Sequence, residues 1–200
     1  MRIGVLASGR GTILAALAAS GLPLAVAVVD RRCGAESAAT RAGIPLRRLE
    51  RTRFDAGFDR AAYGADLVHV LRSEQVDLVA MAGFATVLDP QLFDAFGGRV
   101  LNTHPSLLPA FRGWHAVEEA LRAGVGFTGC TVHVATVEVD RGPILAQEAV
   151  PVLPGDTVEM LHERIKRVER RLYPDTLWRV LRAGGDPAAL VRDAGSTVVA

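Results

Sequence analysis

The sequence predicts an α/β fold: a doubly wound, mostly parallel, Rossmann-like sheet with an antiparallel strand pair in the C-terminal half. In the first half, short continuous apolar runs alternate with helical patterns, as in parallel sheets that helices cover on both faces. In the second half, two runs of alternating polarity flank a turn at residues 139–143, which is typical of antiparallel strands. Right-handed crossovers between the parallel strands would give the doubly wound arrangement.

The predicted elements of the first half follow one another regularly. Apolar runs predict strands at residues 3–7, 24–29, 46–49, 78–82 and 99–102. Helical spacing of apolar residues predicts helices at 12–19, 35–42, 61–73 and 90–96. Gly21 and Pro23 end the first helix and Gly43 ends the second, because glycine favours the conformation that follows a helix and proline cannot continue one.

The second half has fewer and longer elements. A helix is predicted at 114–123, followed by antiparallel strands at 131–136 and 144–150. Asp156 is expected to cap a long helix over 157–183, interrupted near Tyr173 and Pro174 because proline removes a helical hydrogen bond. Residues 186–200 have weak periodicity. We therefore expect a single domain over 1–185 and a loosely attached C-terminal tail over 186–200.

Composition and charge limit the classes of function. Half of the 200 residues are hydrophobic and 22% are charged, so a sizeable core is expected. A net charge of +1 argues against nucleic acid as the main ligand. Cys33 and Cys130 form no C-x-x-C motif, no apolar run reaches membrane-spanning length, and residues 1–7 do not resemble a signal peptide. These features predict a cytoplasmic protein that binds neither nucleic acid nor membrane.

The most informative stretch is residues 102–109, which directly follows a predicted strand. If that strand continues, alternation sends Asn102 and His104 to the same side, and Pro105 ends the pairing. The carboxyl end of such a strand is where open α/β sheets bind ligands. An isolated Asn-x-His is more often a strand end with satisfied side chains. The later Asp140, in the turn at 139–143, favours a functional interpretation instead, in which an amide, an imidazole and a carboxylate together perform an acyl transfer.

A glycine-rich turn lies between the first predicted strand and helix. Gly9 and Gly11 allow close approach of a ligand, and the helix that begins at Thr12 offers free amide groups to a phosphate. A dinucleotide site is a rival interpretation, since Asp30 stands near the position of a ribose-binding acid. Leu14 replaces the third glycine of that motif, which weakens the rival. A plain strand-to-helix turn is the remaining interpretation.

With these motifs in view, the chain resembles the folate-dependent phosphoribosylglycinamide formyltransferases over residues 2–181. The resemblance rests on motifs that occur in the family's order: the N-terminal Ser-Gly-x-Gly turn, Ala82-Gly83-Phe84, the block at 102–109, residues 129–133, Asp140 with Gly142-Pro143, Glu169, and Tyr173-Pro174. It implies a formyltransferase domain over 1–185. It also implies transfer of the formyl group of 10-formyltetrahydrofolate to 5'-phosphoribosylglycinamide, in purine biosynthesis, by a monomer or a homodimer.

The resemblance also implies the roles of individual residues. Asn102, His104 and Asp140 fall on the catalytic positions, and Asn102 also on the folate side. The implied ligand-binding residues are Gly11, Thr12 and Ile13 for the ribonucleotide phosphate, Glu169 near the ribonucleotide, and Arg60, Ala85, Thr86, Val87 and Leu88 for the folate. No metal is required, and the spacing of His104, Cys130, His133 and Asp140 matches no standard zinc pattern.

The chemistry of formyl transfer agrees with these roles. Attack of an amine on the formyl carbon creates an oxyanion, to which Asn102 can donate a hydrogen bond. His104 can donate from its cationic form, and we expect the Asp140 carboxylate to raise the pKa of His104. Asp140 can also handle the proton that the amine sheds. His133 could line the site or be a packed, satisfied histidine.

The chain departs from the resemblance at three places. Ile13 stands where asparagine is usual, Thr86 where arginine is common, and Arg112 where proline usually precedes the glycine. These departures concern affinity for the substrates more than reaction type.

Four other functions stay open at this point. A formyltetrahydrofolate deformylase of the same fold is the main alternative, which Pro105 disfavours. Formyl transfer to methionyl-tRNA would need an RNA-binding domain that we do not expect in this chain. A nicotinamide-dependent oxidoreductase and a non-catalytic folate-binding relative are the remaining possibilities.

Overall fold

The computed structural model describes residues 1–194. The chain divides into two compact units after Leu101, within a strand. This division does not test the prediction of a single domain over residues 1–185, which remains a prediction. Within the described residues, no helix is long and apolar enough to cross a membrane.

The first unit contains alternating strands and helices, as predicted. In chain order they are β1 (Ile3–Ala7), α1 (Thr12–Ala19), β2 (Leu24–Val29), α2 (Gly34–Arg41), β3 (Leu46–Arg48), α3 (Arg60–Ser73), β4 (Leu78–Met81) and α4 (Pro90–Phe96). The strand order is β3-β2-β1-β4, and every described pair is parallel. The side chains of β1 and of β2 after Leu24 are buried, which explains why these strands are continuously apolar.

Helix boundaries in the first unit follow from capping. Asp59 accepts a hydrogen bond from the backbone N–H of Ala62 and so caps α3, while Asp89 caps α4 in front of Pro90. Gly11 is the N-terminal cap of α1 with a φ of 78°, a conformation that favours glycine. These caps fix the loops that precede α1, α3 and α4.

The second unit begins in strand β5 (Val100–His104). It continues with α5 (Ala116–Arg122), β6 (Phe127–Val134), β7 (Ile144–Pro151), α6 (Val158–Arg182) and α7 (Pro187–Ala194). The pair β6–β7 is antiparallel, with Thr131 opposite Gln147 and a register shift between Val132 and His133. The prediction of a mostly parallel sheet with an antiparallel C-terminal pair is therefore confirmed.

Some predicted boundaries were wrong. Strand β5 continues to His104 rather than ending at residue 102, because Pro105 is the first residue without a donor for the sheet. Helix α5 begins at Ala116, and Trp114, which lies before it, is 67% exposed. Both differences place the 102–115 segment in strand and loop, and both matter for the site.

The long helix also differs from its prediction. Helix α6 continues through Pro174 without an interruption, because Tyr173, Pro174 and Leu177 are all buried and their packing holds this turn. Its cap is Thr157, whose side chain accepts from the backbone N–H of Met160. The carboxylate of Asp156, the predicted cap, instead accepts hydrogen bonds from Nη1 and Nη2 of Arg164.

The predicted tail contains a helix. Residues Pro187–Ala194 form α7, and Leu190 is only 4% exposed, so residues 187–191 are not a loosely attached tail. The weak periodicity of the sequence missed this helix because it is only two turns long. The rest of the predicted tail, residues 195–200, lies outside the described residues.

Candidate active site

Strand β5 carries Asn102 and His104 on one face, as the alternation of the sequence predicted. Asn102 is half-buried and His104 is 5% exposed. Thr103, between them, points to the other face. The strand thus ends with an amide and an imidazole side by side, just before Pro105.

Asp140 lies in the loop between β6 and β7, in a strained conformation. Its φ of 55° is left-handed, which is uncommon for a residue with a side chain. Gly142 is required nearby, because a Cβ atom there would overlap the carbonyl oxygen of Val134. The backbone N–H of Gly113 donates to Asp140 Oδ2 at 2.8 Å. The loop therefore holds a buried carboxylate in a fixed position.

The Asp140 carboxylate lies between two imidazole rings. Its Oδ2 is 3.3 Å from His104 Nδ1, and its Oδ1 is 3.5 Å from His133 Nε2. All three side chains are at least 90% buried. Two of the predicted catalytic residues, His104 and Asp140, therefore belong to one cluster, to which the structure adds His133.

The hydrogen bonds of His133 orient Asn102. His133 Nδ1 is 2.9 Å from the carbonyl oxygen of Val134, so this nitrogen carries a proton. In neutral His133 the other nitrogen, Nε2, is then an acceptor for the Asn102 amide at 3.2 Å. The Asn102 amide has two N–H groups, so one of them is left for a substrate oxygen.

The segment 111–113 contacts both His104 and Asp140. His104 Nε2 donates to the carbonyl oxygen of Phe111 at 2.7 Å, and Arg112 Nε donates to the Asp140 carbonyl at 3.1 Å. Phe111 and Gly113 both have left-handed φ values. The sequence identified this segment only as atypical, whereas the structure shows that it braces the cluster.

Burial opposes charge at both His104 and Asp140. The pKa of His104 is lowered, because burial outweighs the Phe111 carbonyl and the Asp140 carboxylate, which both raise it. The prediction of a raised pKa for His104 was therefore wrong in sign, although Asp140 acts in the predicted direction. Burial raises the pKa of Asp140, but the His133 ring 3.5 Å away, the hydrogen bond from Gly113 and the charge that His104 carries when protonated outweigh it and lower the pKa overall.

Glu169 lies on the opposite side of β5 from this cluster. It accepts a hydrogen bond from Thr103, whose hydroxyl is also 3.4 Å from Cys130 Sγ. Burial raises the pKa of Glu169 to about 7 and that of the Cys130 thiol to about 12. The raised pKa of Cys130 disfavours the thiolate, which is the nucleophilic form of cysteine. The role of Glu169 near the ribonucleotide remains a prediction.

In the first unit, the glycine-rich turn has the features that an anion site needs. A Cβ atom on Gly11 would lie 2.6 Å from Ala35 Cα, so packing as well as φ requires glycine here. The first turn of α1 leaves backbone N–H groups at Thr12 and Ile13 without helical partners. The side chain of Ile13 is buried in the core, so only its backbone is suited to contact a phosphate.

The predicted folate-binding residues of the first unit lie on two segments. Arg60 is exposed at the first residue of α3. Ala85, Thr86, Val87 and Leu88 form an irregular loop after β4, in which Thr86 and Leu88 are buried and Val87 is 36% exposed. Val87 and, in part, Ala85 are thus the residues of this segment that solvent reaches.

Asp30 does not suit the rival dinucleotide site. Its side chain is fully buried and already bonded to Arg31 and Thr86. A ribose hydroxyl would have to displace those donors. Within residues 1–194, no group of three or more His, Cys, Asp or Glu side chains is arranged as a metal site.

The amide and imidazole at the end of β5, the imidazole of β6 and the carboxylate of the loop after β6 can together stabilise an oxyanion and move a proton, which is what the transfer of an acyl group requires. Residues 1–177 match the formyl transferase family, and the chain belongs to this family.

Known proteins with similar sequences and structures agree. The chain is 46% identical over 176 residues to a phosphoribosylglycinamide formyltransferase of Mycobacterium tuberculosis (strain CDC 1551 / Oshkosh), covering 86% of this chain and 80% of that protein. It is 43% identical to a trifunctional purine biosynthetic protein adenosine-3 of Gallus gallus, covering 88% of this chain and 18% of that longer protein. Glycinamide ribonucleotide transformylase 1 from Symbiobacterium toebii superposes with a TM-score of 0.86 at 42% identity, covering 92% and 88% of the two chains.

Proposed function

We propose that this enzyme transfers the formyl group of 10-formyltetrahydrofolate to the amine of 5'-phosphoribosylglycinamide. The observation that carries the proposal is the buried cluster in which the Asp140 carboxylate bridges His104 and His133, with Asn102 bonded to His133. The names of the relatives support the ribonucleotide as acceptor over water, the acceptor in a deformylase.

Asn102 and His104 stabilise the oxyanion. The substrate amine attacks the formyl carbon, forms the new C–N bond and places negative charge on the formyl oxygen. The second N–H of Asn102 donates to that oxygen, since His133 occupies only the first. The formyl oxygen takes the place of the Phe111 carbonyl as the acceptor of the His104 Nε2 proton.

The lowered pKa of His104 suits this step. Before reaction, burial favours the neutral ring. Negative charge that develops on the formyl oxygen then favours the cationic ring. The second proton of that ring, on Nδ1, is the proton shed by the amine and relayed by Asp140, whose Oδ2 is 3.3 Å from Nδ1, and the ring gives it up again when the leaving nitrogen is protonated. His104 and Asp140 thus respond to the transition state more than to the bound substrate, which is the condition for lowering the barrier.

The adduct collapses when the bond from the formyl carbon to folate nitrogen N10 breaks. The amine has lost a proton and N10 has gained one, so the two transfers balance. Asp140 accepts the proton from the amine, directly or through a water, and returns it toward the leaving nitrogen. Neither a covalent enzyme intermediate nor a metal is needed in this scheme.

Residues outside the catalytic cluster are proposed to bind the substrates. We infer that the backbone N–H groups at Gly11, Thr12 and Ile13 bind the ribonucleotide phosphate, and that Glu169 contacts the ribonucleotide. Arg60, with the loop Ala85, Thr86, Val87 and Leu88, binds the folate. The partners are small molecules, the expected setting is the cytoplasm, and the expected assembly is a monomer or a homodimer, which sedimentation would test.

The test is release of tetrahydrofolate from 10-formyltetrahydrofolate, measured with and without glycinamide ribonucleotide, together with mass detection of the formylated product. We expect release that depends on the ribonucleotide. Release without it would show the deformylase instead, and absence of release would contradict both functions. The Asn102→Asp variant tests the role of the amide, because it keeps the shape of the side chain but removes the N–H donors. It should lose the ribonucleotide-dependent release.

A further inference from the structure

Asp30, at the end of β2, is a fully buried carboxylate that the proposed chemistry does not use. Its two oxygens accept hydrogen bonds from Arg31 Nε and Nη2 at 3.0 Å each. Oδ2 also accepts a hydrogen bond from the Thr86 hydroxyl at 2.8 Å. Ser8 is a further hydrogen-bond partner. A buried carboxylate without donors would be strongly destabilising, so these partners are required wherever Asp30 is present.

Asp30 and its partner Ser8 together make three hydrogen bonds to the loop at residues 83–88. The Ser8 N–H donates to the Gly83 carbonyl at 3.2 Å, the Ala85 N–H donates to Ser8 Oγ at 2.7 Å, and Thr86 donates to Asp30. The loop is neither helix nor strand, so it lacks a regular hydrogen-bond ladder. Its position therefore depends on these few bonds and on the burial of Phe84 and Leu88.

The bond between Thr86 and Asp30 anchors the middle of this loop. Thr86 is 2% exposed, so its hydroxyl faces the carboxylate and not a ligand in solvent. Asp30 is itself fixed by the planar guanidinium of Arg31, which forms two parallel hydrogen bonds. Removal of the Thr86 hydroxyl would therefore free the loop while Asp30 stayed in place.

We propose that Asp30 and Thr86 are positioning residues, which hold the backbone of the loop 83–88 in the shape that binds formyl folate. The inference rests on the proposed function, which assigns this loop to the folate. The proposal accounts for a threonine at position 86, where the side chain is buried and donates to Asp30 and does not face the ligand. Neither residue takes part in the chemical step.

The experiment compares Thr86→Val with Thr128→Val. Both variants exchange a buried threonine for an isosteric residue, but among the described residues the Thr128 hydroxyl has no hydrogen-bond partner. For each variant, the KM of both substrates and kcat are measured, together with the Kd of 10-formylfolate as a stable probe. Thr86→Val should raise the KM of formyl folate and the probe Kd about 5- to 10-fold, the effect of one lost buried hydrogen bond. The KM of the ribonucleotide and kcat should stay within about twofold in both variants.

Asp30→Asn supplies a second measurement. In its background the Thr86→Val effect on probe binding should shrink, because the two residues act through one bond. If Asp30→Asn does not fold, the Thr86→Val comparison still decides.

The inference is overturned if Thr86→Val matches Thr128→Val, or if it raises both KM values equally. If the wild-type enzyme makes no formylated ribonucleotide, that result would instead contradict the proposed function. Binding of 10-formylfolate to wild type and Thr86→Val would still test the role of the loop separately.

Discussion

Two buried carboxylates, Asp30 in the first unit and Asp140 in the second, have opposite surroundings. Asp30 accepts from a guanidinium and a hydroxyl, neither of which changes its charge near neutral pH. Asp140 lies between two imidazole rings, whose nitrogens can either donate or accept a hydrogen bond. The backbone of Asp140 is also left-handed. Asp30 thus has the partners of a permanent charge, and Asp140 those of a group that exchanges protons.

The pKa values of both carboxylates are lowered although burial alone would raise them. At Asp30 the hydrogen bond from Arg31 is the largest opposing cause, and at Asp140 it is the contact with the His133 ring. A lowered pKa therefore does not distinguish a structural carboxylate from a catalytic one. We propose that the nature of the donors does, and the following predictions test that distinction.

The largest effect is expected at Asp140. Asp140→Asn keeps an oxygen for the Gly113 N–H but removes the charge that stabilises cationic His104. We expect kcat to fall at least ~10²-fold while the fold stays intact, and His104→Ala to lose as much. Steady-state kinetics and circular dichroism check this outcome.

The matched control for Asp140→Asn is Glu138→Gln, since Glu138 is an exposed carboxylate two residues away with 74% of its side chain accessible. It should leave kcat unchanged. Near-normal turnover in Asp140→Asn would place Asp140 with Asp30 as a structural charge and remove the contrast between them.

A smaller effect is expected at Arg112, which supports the strained backbone of Asp140. Arg112→Ala removes the Nε–H that donates to the Asp140 carbonyl. We expect kcat to fall about 5-fold with little change in either KM, and the acidic limb of the pH–rate profile to move, because the His104–Asp140 distance is no longer fixed.

Arg141→Ala is the control for Arg112, because Arg141 pairs with the exposed Glu138 beside the same loop. If both variants behave alike, Arg112 acts only as a surface charge. The acidic limb would then stay where it is in the wild-type enzyme.

The sequence predicted the fold, and it placed Asn102 and His104 on one face of a strand, for identifiable physical reasons. Buried parallel strands such as β1 and β2 must be apolar throughout, so their runs are visible in the chain. Asn102 and His104 were placed together by alternation along one strand. Asp140 was suggested by its turn and by the resemblance to the formyltransferases.

Other parts of the site depend on contacts between distant residues, which local patterns do not reveal. The bond between Asp30 and Thr86 joins residues 56 positions apart, and that between Arg112 and Asp140 joins residues 28 apart. The shift in the pKa of His104 was predicted in the wrong direction. The effect of Asp140 can be inferred from the sequence, whereas the depth of burial cannot. His133 was left undecided for the same reason.

Glu169 offers a third carboxyl group, which differs from both others. Its pKa is raised from 4.5 to about 7 by burial, so the folded chain binds more protons than the unfolded chain between these values. Stability from this group is therefore present at acidic pH and is lost as the pH rises toward 7. Glu169→Gln should be more stable than wild type at pH 8 by about 1 kcal/mol, and no more stable at pH 4.5.

Urea unfolding at both pH values measures this difference. Glu163→Gln on the same helix is the control, because 46% of the Glu163 side chain is exposed and it pairs with Lys166 near the surface. Equal stability of Glu169→Gln and wild type at pH 8 would mean that Glu169 is charged in the folded chain as readily as Asp30 and Asp140.

The smallest effect is expected at Thr128, a buried hydroxyl of β6 without a hydrogen-bond partner among the described residues. Thr128→Val should raise stability by about 0.5 kcal/mol, because it removes an unsatisfied polar atom and keeps the side-chain shape. Thr86→Val should lower stability by about 1 kcal/mol, because it leaves Asp30 with one donor fewer. Opposite signs in urea unfolding would show that a buried polar group is stabilising only through its partner, which is the condition that Asp30 meets. A loss of stability in both variants would mean that the bond to Asp30 adds nothing to the packing of a buried threonine.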